Sequence, residues 1–471
     1  MRRRLAPLAL VLVLAGCSAA GYPSSATPSA TVTSQPAAPV TTTSTLATAT
    51  SPSCPAIPAR SAPDPVRPKY TLRVDVRPGD GTVEGQQRVV FTPDLDTDRL
   101  VFRLWPNGPR SAPAGARLEA GEVTIGGRRA TSALDDPTTL VVRTGATLRA
   151  GQPVDVSLPW RLQVPGPAND RISRNGDAMR LGSFFPILSW EPGVGWATET
   201  AVGGFAEAST APTADFDLTV TVPEGFDVLA SGTPDPARRG HYTATAMRDV
   251  AMSVGRFQTV SAVAMAPERV QVSVGAHRGV VDSPDIYLDR VVASLEDFGR
   301  RFGPYPWPTF TMAITPELGG GIEYPTHVMQ GPGTIGVVSH EVAHQWFYGL
   351  VGNNQGRDPW LDEGLASWAE ARFEGRLERF KARVIPEGAR NRVGEPMSYW
   401  SDRRQLYQDG VYVQGAQALA ALGDPGLVDC ALRVFVAVNA HRVARQADLV
   451  RAASAVFPNA ATTLASYGVK A

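Results

Sequence analysis

The chain has 471 residues, 43% of them hydrophobic, enough for two or three globular domains with sizeable cores. Lys+Arg and Asp+Glu both total 45, so the formal net charge is zero, and no long run of like charge exists; a broad nucleic-acid footprint is excluded. Three scattered cysteines, Cys17, Cys54 and Cys430, cannot build a thiolate metal site, so any metal must rest on His and carboxylates.

Arg2, Arg3 and Arg4 precede an apolar stretch of ten residues, Leu5 to Leu14, too short to span a bilayer but typical of an export signal. It ends in Leu14-Ala15-Gly16-Cys17, which resembles a bacterial lipobox. The expectation is a signal over 1–17, lipidation at Cys17 and an extracytoplasmic protein anchored to the bacterial membrane. Residues 18–66 are rich in Ser, Thr, Pro and Ala, with no charge between Arg4 and Arg60. Such a segment has too little apolar surface to offset its ordering entropy and reads as an extended, mobile tether. In an oxidising compartment a Cys54–Cys430 disulfide is open as a pairing.

A β domain is expected over 67–265. Tyr70, Leu72, Val74 and Val76 alternate with polar residues, and period-two runs return at 154–158 and 216–222. Short strands with frequent Pro, Gly and Asp punctuation suggest an antiparallel sandwich or saddle. An α+β catalytic domain then occupies 266–471. It has helical spacing from Ile286 to Phe302, a strand over 308–314, and mainly helices from Gly336 onward.

The sequence His340-Glu341-Val342-Ala343-His344 sits among Val337, Val338, Trp346, Phe347 and Leu350, the pattern of a mostly buried helix. Two histidines four apart project from one helix face and can each give a nitrogen to one Zn²⁺. Glu341 can reach the attacking water without ligating the metal. A third ligand is required, and Glu363 follows His344 by nineteen positions, room for a loop and an antiparallel helix opening at Pro359. Glu370, seven residues further, falls two turns on and is a candidate partner for a zinc histidine.

These residues resemble the M1 family of zinc metallopeptidases, gluzincins that include aminopeptidase N and leukotriene A4 hydrolase. The match rests on His340-Glu341-Val342-Ala343-His344-Gln345-Trp346-Phe347 and Trp360-Leu361-Asp362-Glu363-Gly364. Gly320-Gly321-Ile322-Glu323-Tyr324-Pro325 looks like the family's exopeptidase motif, and Tyr412-Val413-Gln414-Gly415-Ala416 like its Tyr-x-Lys-Gly-Ala. The resemblance implies a thermolysin-like catalytic domain behind an N-terminal β domain, and one zinc held by His340, His344 and Glu363. It implies Glu341 as general base, Tyr412 as oxyanion donor, and Glu323 on the substrate's free α-amine beside Gly320 and Gly321. Tyr407 has a family counterpart near the active site.

Departures accompany the match. Tyr324 replaces the usual Asn, Gln414 the usual Lys, and Leu181-Gly182-Ser183-Phe184-Phe185-Pro186 stands where many members have a longer motif that touches the amine. The large C-terminal helical domain of many members is not expected here, which predicts a more open cleft. The reading is a zinc aminopeptidase acting on peptides with a free N-terminus. Its rivals are an endopeptidase of the same fold and a non-catalytic peptide-binding envelope lipoprotein, against which the intact base Glu341 speaks.

Overall fold

A computed structural model describes residues 52–203 and 210–471. The expected export signal, Cys17 and most of the tether lie outside them.

The N-terminal half is built on a nine-stranded sheet. Its centre is β1 (Lys69–Arg77), β2 (Thr82–Phe91) and β3 (Val154–Gln163), paired antiparallel in that order. Alternation does what the sequence predicts: Tyr70, Leu72, Val74 and Val76 are buried while Arg73 faces solvent. One pairing departs from the antiparallel expectation, since β4 (Ala214–Thr221) lies parallel to β1 and only then receives β5 (His241–Met247) antiparallel. Two four-stranded sheets complete this half, and one contains Ala178–Leu181 and Met252–Gly255.

The second half opens with a five-stranded sheet of β6 (Phe257–Met265), β7 (Arg269–His277), β8 (Thr309–Ile314), β9 (Gly321–Tyr324) and β10 (His327–Gln330), in the spatial order β6-β7-β8-β10-β9. The boundary expected at 265/266 therefore falls inside a hairpin, because β6 pairs with β7 along its whole length. Strands β7 and β8 are parallel, joined by the crossover helix α1 (Pro284–Phe302). Ser283 caps α1, Pro284 fills its first position, and Gly303 ends it at φ 103°. Edge strand β9 turns tightly from β10 and carries Glu323.

Helix α2 (Val338–Ala343) packs beside that edge, and helix α3 (Trp360–Phe373) packs on α2. The helix expected to run on to Leu350 stops at Ala343: Gly349, Leu350 and Val351 donate five residues back, to His344, Gln345 and Trp346, and Tyr348 takes φ 112°. After a six-residue π-helical stretch at Gln408–Val413 come α4 (Gln414–Ala420) and α5 (Pro425–Asn439).

The end of the expected tether is not free. Cys54 is disulfide-bonded to Cys430 of α5, Arg60 donates to the Pro304 carbonyl, and Ser61 donates to the carbonyls of Ala437 and Val438. These partners tie residues 54–61 to the catalytic half, which composition could not foretell. Among the described residues no helix is long and apolar enough to cross a membrane.

Candidate metal centre

Helix α2 is short and buried all round, so His340, Glu341 and His344 have little freedom. Helix α3 is buried from Trp360 to Ala369 and brings Glu363 across. Glu363 Oε2 stands 3.1 Å from His340 Nε2 and 3.5 Å from His344 Nε2. Tetrahedral ligands about 2.0–2.1 Å from a zinc ion lie about 3.3 Å apart, so the spacing fits that ion.

The opposite ring nitrogens explain the chemistry of the donors. His344 Nδ1 is 2.8 Å from Asp362 Oδ1, and His340 Nδ1 is 3.4 Å from Glu370 Oε2. The Phe347 carbonyl, 3.1 Å from His344 Nδ1, accepts that ring's proton, and the two carboxylates favour protons at Nδ1 in both rings, which leaves the Nε2 lone pairs toward Glu363. Two lone pairs and a carboxylate oxygen aimed at one point repel each other unless a cation joins them. The same atoms feel strong fields. Without a metal cation the same atoms share a proton instead: burial opposes charge on His340, yet hydrogen bonds to Glu363 and Glu370 hold its imidazole up to about 10. Burial also opposes ionisation of Glu363, but the two imidazoles keep it well below the usual carboxylate range. Burial, opposed by the same histidines, pushes Glu341 up to about 7.

The remaining expected residues gather in one cavity of about 590 Å³ with the three donors: Glu341, Glu323, Gly320, Gly321, Tyr407, Tyr412 and Glu370 all line it. A larger concavity of about 660 Å³ on the exposed face of the nine-stranded sheet, lined by Arg73, Glu84 and Trp160, contains none of these groups. Glu341 lies over Gly321, where a Cβ would stand 2.3 Å from its carboxyl carbon. Glu323 is 4% exposed, and its Oε1 has no hydrogen-bond partner among the described residues. Burial first, then neighbouring carboxylates against the relief given by His344, pushes it up to about 8. Gln345 fixes the hairpin that carries Glu323, donating to the Tyr324 carbonyl at 3.0 Å and accepting from Thr326 N at 2.8 Å.

Tyr412 stacks on the His340 ring, with centroids 5.6 Å apart and planes at 14°, and burial first, then the charge of Glu363, raises its phenol well above the usual range. Tyr407 meets Tyr412 edge-on at 5.6 Å, and its hydroxyl is buried with no hydrogen-bond partner among the described residues. Both departures from the family pattern have structural work. Gln414 turns away from the centre, donating to the Ala389 carbonyl at 2.7 Å and accepting from Asn391 N at 2.7 Å. Tyr324 lies on Gly182, where a Cβ would stand 2.3 Å from its hydroxyl, and its Oη is 3.2 Å from both Ser183 Oγ and Arg171 Nη1. Thus the 181–186 segment cradles Tyr324.

Sequence reasoning passed over Asp362, although its place beside Glu363 in a buried helical turn was a usable signal. It also passed over Arg110, Arg171 and Arg404, which enter the cavity from segments distant in sequence and carried no signal.

A model of the peptidase family M1 domain matches residues 326–457. Rat endoplasmic reticulum aminopeptidase 1 is 32% identical over 206 residues, which cover 37% of this chain and 22% of that protein. Leukotriene A-4 hydrolase of Xenopus laevis is 33% identical over 107 residues, 20% of this chain and 17% of that one. The chain thus spans about a fifth of the length of these curated relatives. The crystal structure of an M1 zinc metallopeptidase from Deinococcus radiodurans superposes with TM-score 0.64 at 20% identity, covering 88% of this chain and 96% of that one. The fold is therefore that of the two-domain M1 metallopeptidases. Residues 326–457 thus resemble the M1 peptidase domain, and the fold and the donor set agree with that likeness.

Proposed function

We propose that the protein is a zinc-dependent aminopeptidase that removes N-terminal residues from peptides. One observation carries the reading: His340, His344 and Glu363 offer converging donor atoms in the same cavity as Glu341 and the unpartnered carboxylate of Glu323. Zinc held there supplies Lewis acidity to water and to the scissile carbonyl. Glu341 takes the proton of the attacking water and later hands it to the leaving amine. The Tyr412 hydroxyl donates to the oxygen that becomes negative in the transition state, and stacking on His340 keeps it in place. Glu323 Oε1 accepts from the substrate's α-ammonium, which sets the cleavage point one residue from the N-terminus.

Glu341→Gln tests the mechanism. It is expected to retain zinc and lose about 10²–10⁴-fold in turnover, the range of general-base catalysis; a fully active variant would show that Glu341 is not the base. Free and N-acetylated peptides compared on the wild type test Glu323, since equal rates would indicate an endopeptidase.

Export and lipidation at Cys17 belong to the same reading. The basic start, short apolar core and small-small-Cys end of the leader support it, as does a disulfide at Cys54–Cys430, which suits an oxidising compartment. Palmitate labelling in a bacterial host is expected for the wild type and not for Cys17→Ala; an unlabelled wild type would refute it.

A further inference from the structure

Asp249 lies just past the end of strand β5, and its carboxylate is buried. Oδ1 accepts from Val250 N at 2.7 Å, and Oδ2 accepts from Ser183 Oγ at 3.2 Å. A serine hydroxyl has a single hydrogen, and here it goes to Asp249. The Tyr324 hydroxyl, 3.2 Å from Ser183 Oγ, therefore donates to it. Tyr324 Oη in turn accepts from Arg171 Nη1 at 3.2 Å, since a guanidinium can only donate. Every proton in this row of bonds points one way, from Arg171 through two hydroxyls to Asp249. Burial pushes the Asp249 carboxyl up to about 7, while Val250 N, Ser183 and Arg171 favour its charge.

The row is built at some cost. Ser183 takes φ 47°, the left-handed region that serine rarely occupies, and strain of that kind persists only where the surroundings enforce it. The row also ends beside the carboxylate assigned to the amine. Tyr324 directly follows Glu323 on β9, an edge strand bonded to β10 on one side. Glu323 Oε1 has no hydrogen-bond partner among the described residues, so the strand's backbone sets where that oxygen stands. Two ties fix this backbone. Gln345, one residue past His344, holds the Tyr324 carbonyl at 3.0 Å, and the β half holds the Tyr324 phenol. Burial opposes charge on Arg171, but the Tyr324 phenol, Asp170 and Glu323 raise its guanidinium above the usual range, so the cation senses Glu323 as well. Arg248, the residue before Asp249, donates to the carbonyls of Ala211 at 3.0 Å and Gly349 at 3.3 Å, the second in the turn that follows α2. Two consecutive residues of the β half thus grip both the turn behind the histidines and, through Ser183, the strand that carries Glu323.

Resting on the aminopeptidase reading, we propose that Tyr324, held by Ser183, Asp249 and Arg171, is a positioning residue that sets Glu323 for the substrate's α-ammonium. Tyr324 is not among the residues lining the cavity and acts through its neighbour.

The test is calorimetric binding of Leu-Ala-Ala and N-acetyl-Leu-Ala-Ala to zinc-loaded protein carrying Glu341→Gln, which reads the preference for a free amine without turnover. Tyr324→Phe keeps the ring on Gly182 and removes the hydroxyl. It is expected to lower the preference about tenfold, part of what a bond to a charged group contributes, by weakening the free peptide alone. In protein with Glu341 intact the same loss should fall on KM rather than kcat. Asp249→Asn breaks the row at its far end and should shift the preference in the same direction. It also replaces Tyr324→Phe should that variant not fold, with folding read from the urea midpoint. In a Glu323→Gln background Tyr324→Phe should cost nothing further, because no carboxylate remains to be placed. A wild-type preference in folded Tyr324→Phe or, failing that, in Asp249→Asn would overturn the proposal. So would a loss that persists in the Glu323→Gln background, which marks a merely structural role. Glu323→Gln alone separates the two readings. If it keeps the preference, the amine assignment fails and the positioning role with it; if it loses the preference while Tyr324→Phe keeps it, only the positioning role fails.

Discussion

Gly321→Ala separates catalysis from both folding and metal binding. The backbone at Gly321 is ordinary strand, paired with Gln330, so alanine fits its conformation. The added Cβ would lie 2.3 Å from Cγ and Cδ of Glu341 and 2.6 Å from its Oε1, where unstrained contact begins near 3.4 Å. Something must move by about 1 Å, and the free end of the Glu341 side chain is the softest element there. Its retreat costs about 1 kcal/mol of stability, at the low end for overpacking. The catalytic cost is larger, since a base displaced by about 1 Å loses about 10²-fold in rate. Zinc remains, because none of its three donors is among the atoms that the new methyl group meets. The measurements are kcat, zinc content and the urea midpoint of one preparation. A zinc-replete, stable Gly321→Ala protein with wild-type kcat would show that the carboxylate of Glu341 does not act from its observed position.

Three further outcomes follow from the geometry. Asp362→Asn removes the carboxylate 2.8 Å from His344 Nδ1 and is expected to lower zinc affinity about 10–100-fold in chelator competition; an unchanged affinity would show that His344 is oriented without it. His327 is buried, 2.8 Å from Thr311 Oγ1 and 3.1 Å from Ser253 Oγ, and burial lowers its imidazole to about 3. Its folded pKa lies below its unfolded one, so the unfolded chain binds the proton first, and stability present above about pH 6.5 is lost as pH falls toward 3. Urea midpoints should show a wild-type slope about 1.4 kcal/mol per pH unit steeper than His327→Gln between pH 6 and 4, and parallel slopes would contradict it. Chelation should abolish activity and lower the melting temperature, because zinc at a thousandfold over its Kd stabilises the folded state by about 4 kcal/mol; an unchanged calorimetric melt after verified zinc removal would count against a buried, fold-linked site.

That His340, His344 and Glu363 would meet was legible because the logic is local. Histidines four apart share a helix face, and Pro359 marks the start of the helix that returns Glu363. Glu370 was legible for the same reason, two turns along that helix. The end of α2 at Ala343 was not, because apolar residues continue through Leu350 while the backbone changes to bonds five residues long. The hairpin across 265/266 was not legible, because Ala266 N closes β6–β7 onto the Glu268 carbonyl, a backbone bond that no side-chain pattern announces. The tether's end was misread because composition measures what a segment can bury by itself, and residues 54–61 are held by partners more than 200 positions away.

The glycines of the motifs carry a different lesson about how this centre is assembled. A Cβ on Gly415 would stand 2.8 Å from the Cα of Gly364, so α3 and α4 touch backbone to backbone at the level of the metal ligands. Gly364 follows Glu363 directly, and Gly415 stands three residues after Tyr412. The close approach therefore sets the distance between ligand and phenol, and it allows the Tyr412 ring to lie flat against His340. Any larger residue at either position would separate the helices and carry Tyr412 away from Glu363 without altering a single chemical group in the site. Backbone spacing here fixes the site as firmly as the side chains that line it. That is why such glycines sit beside the reactive residues and adopt no unusual backbone conformation.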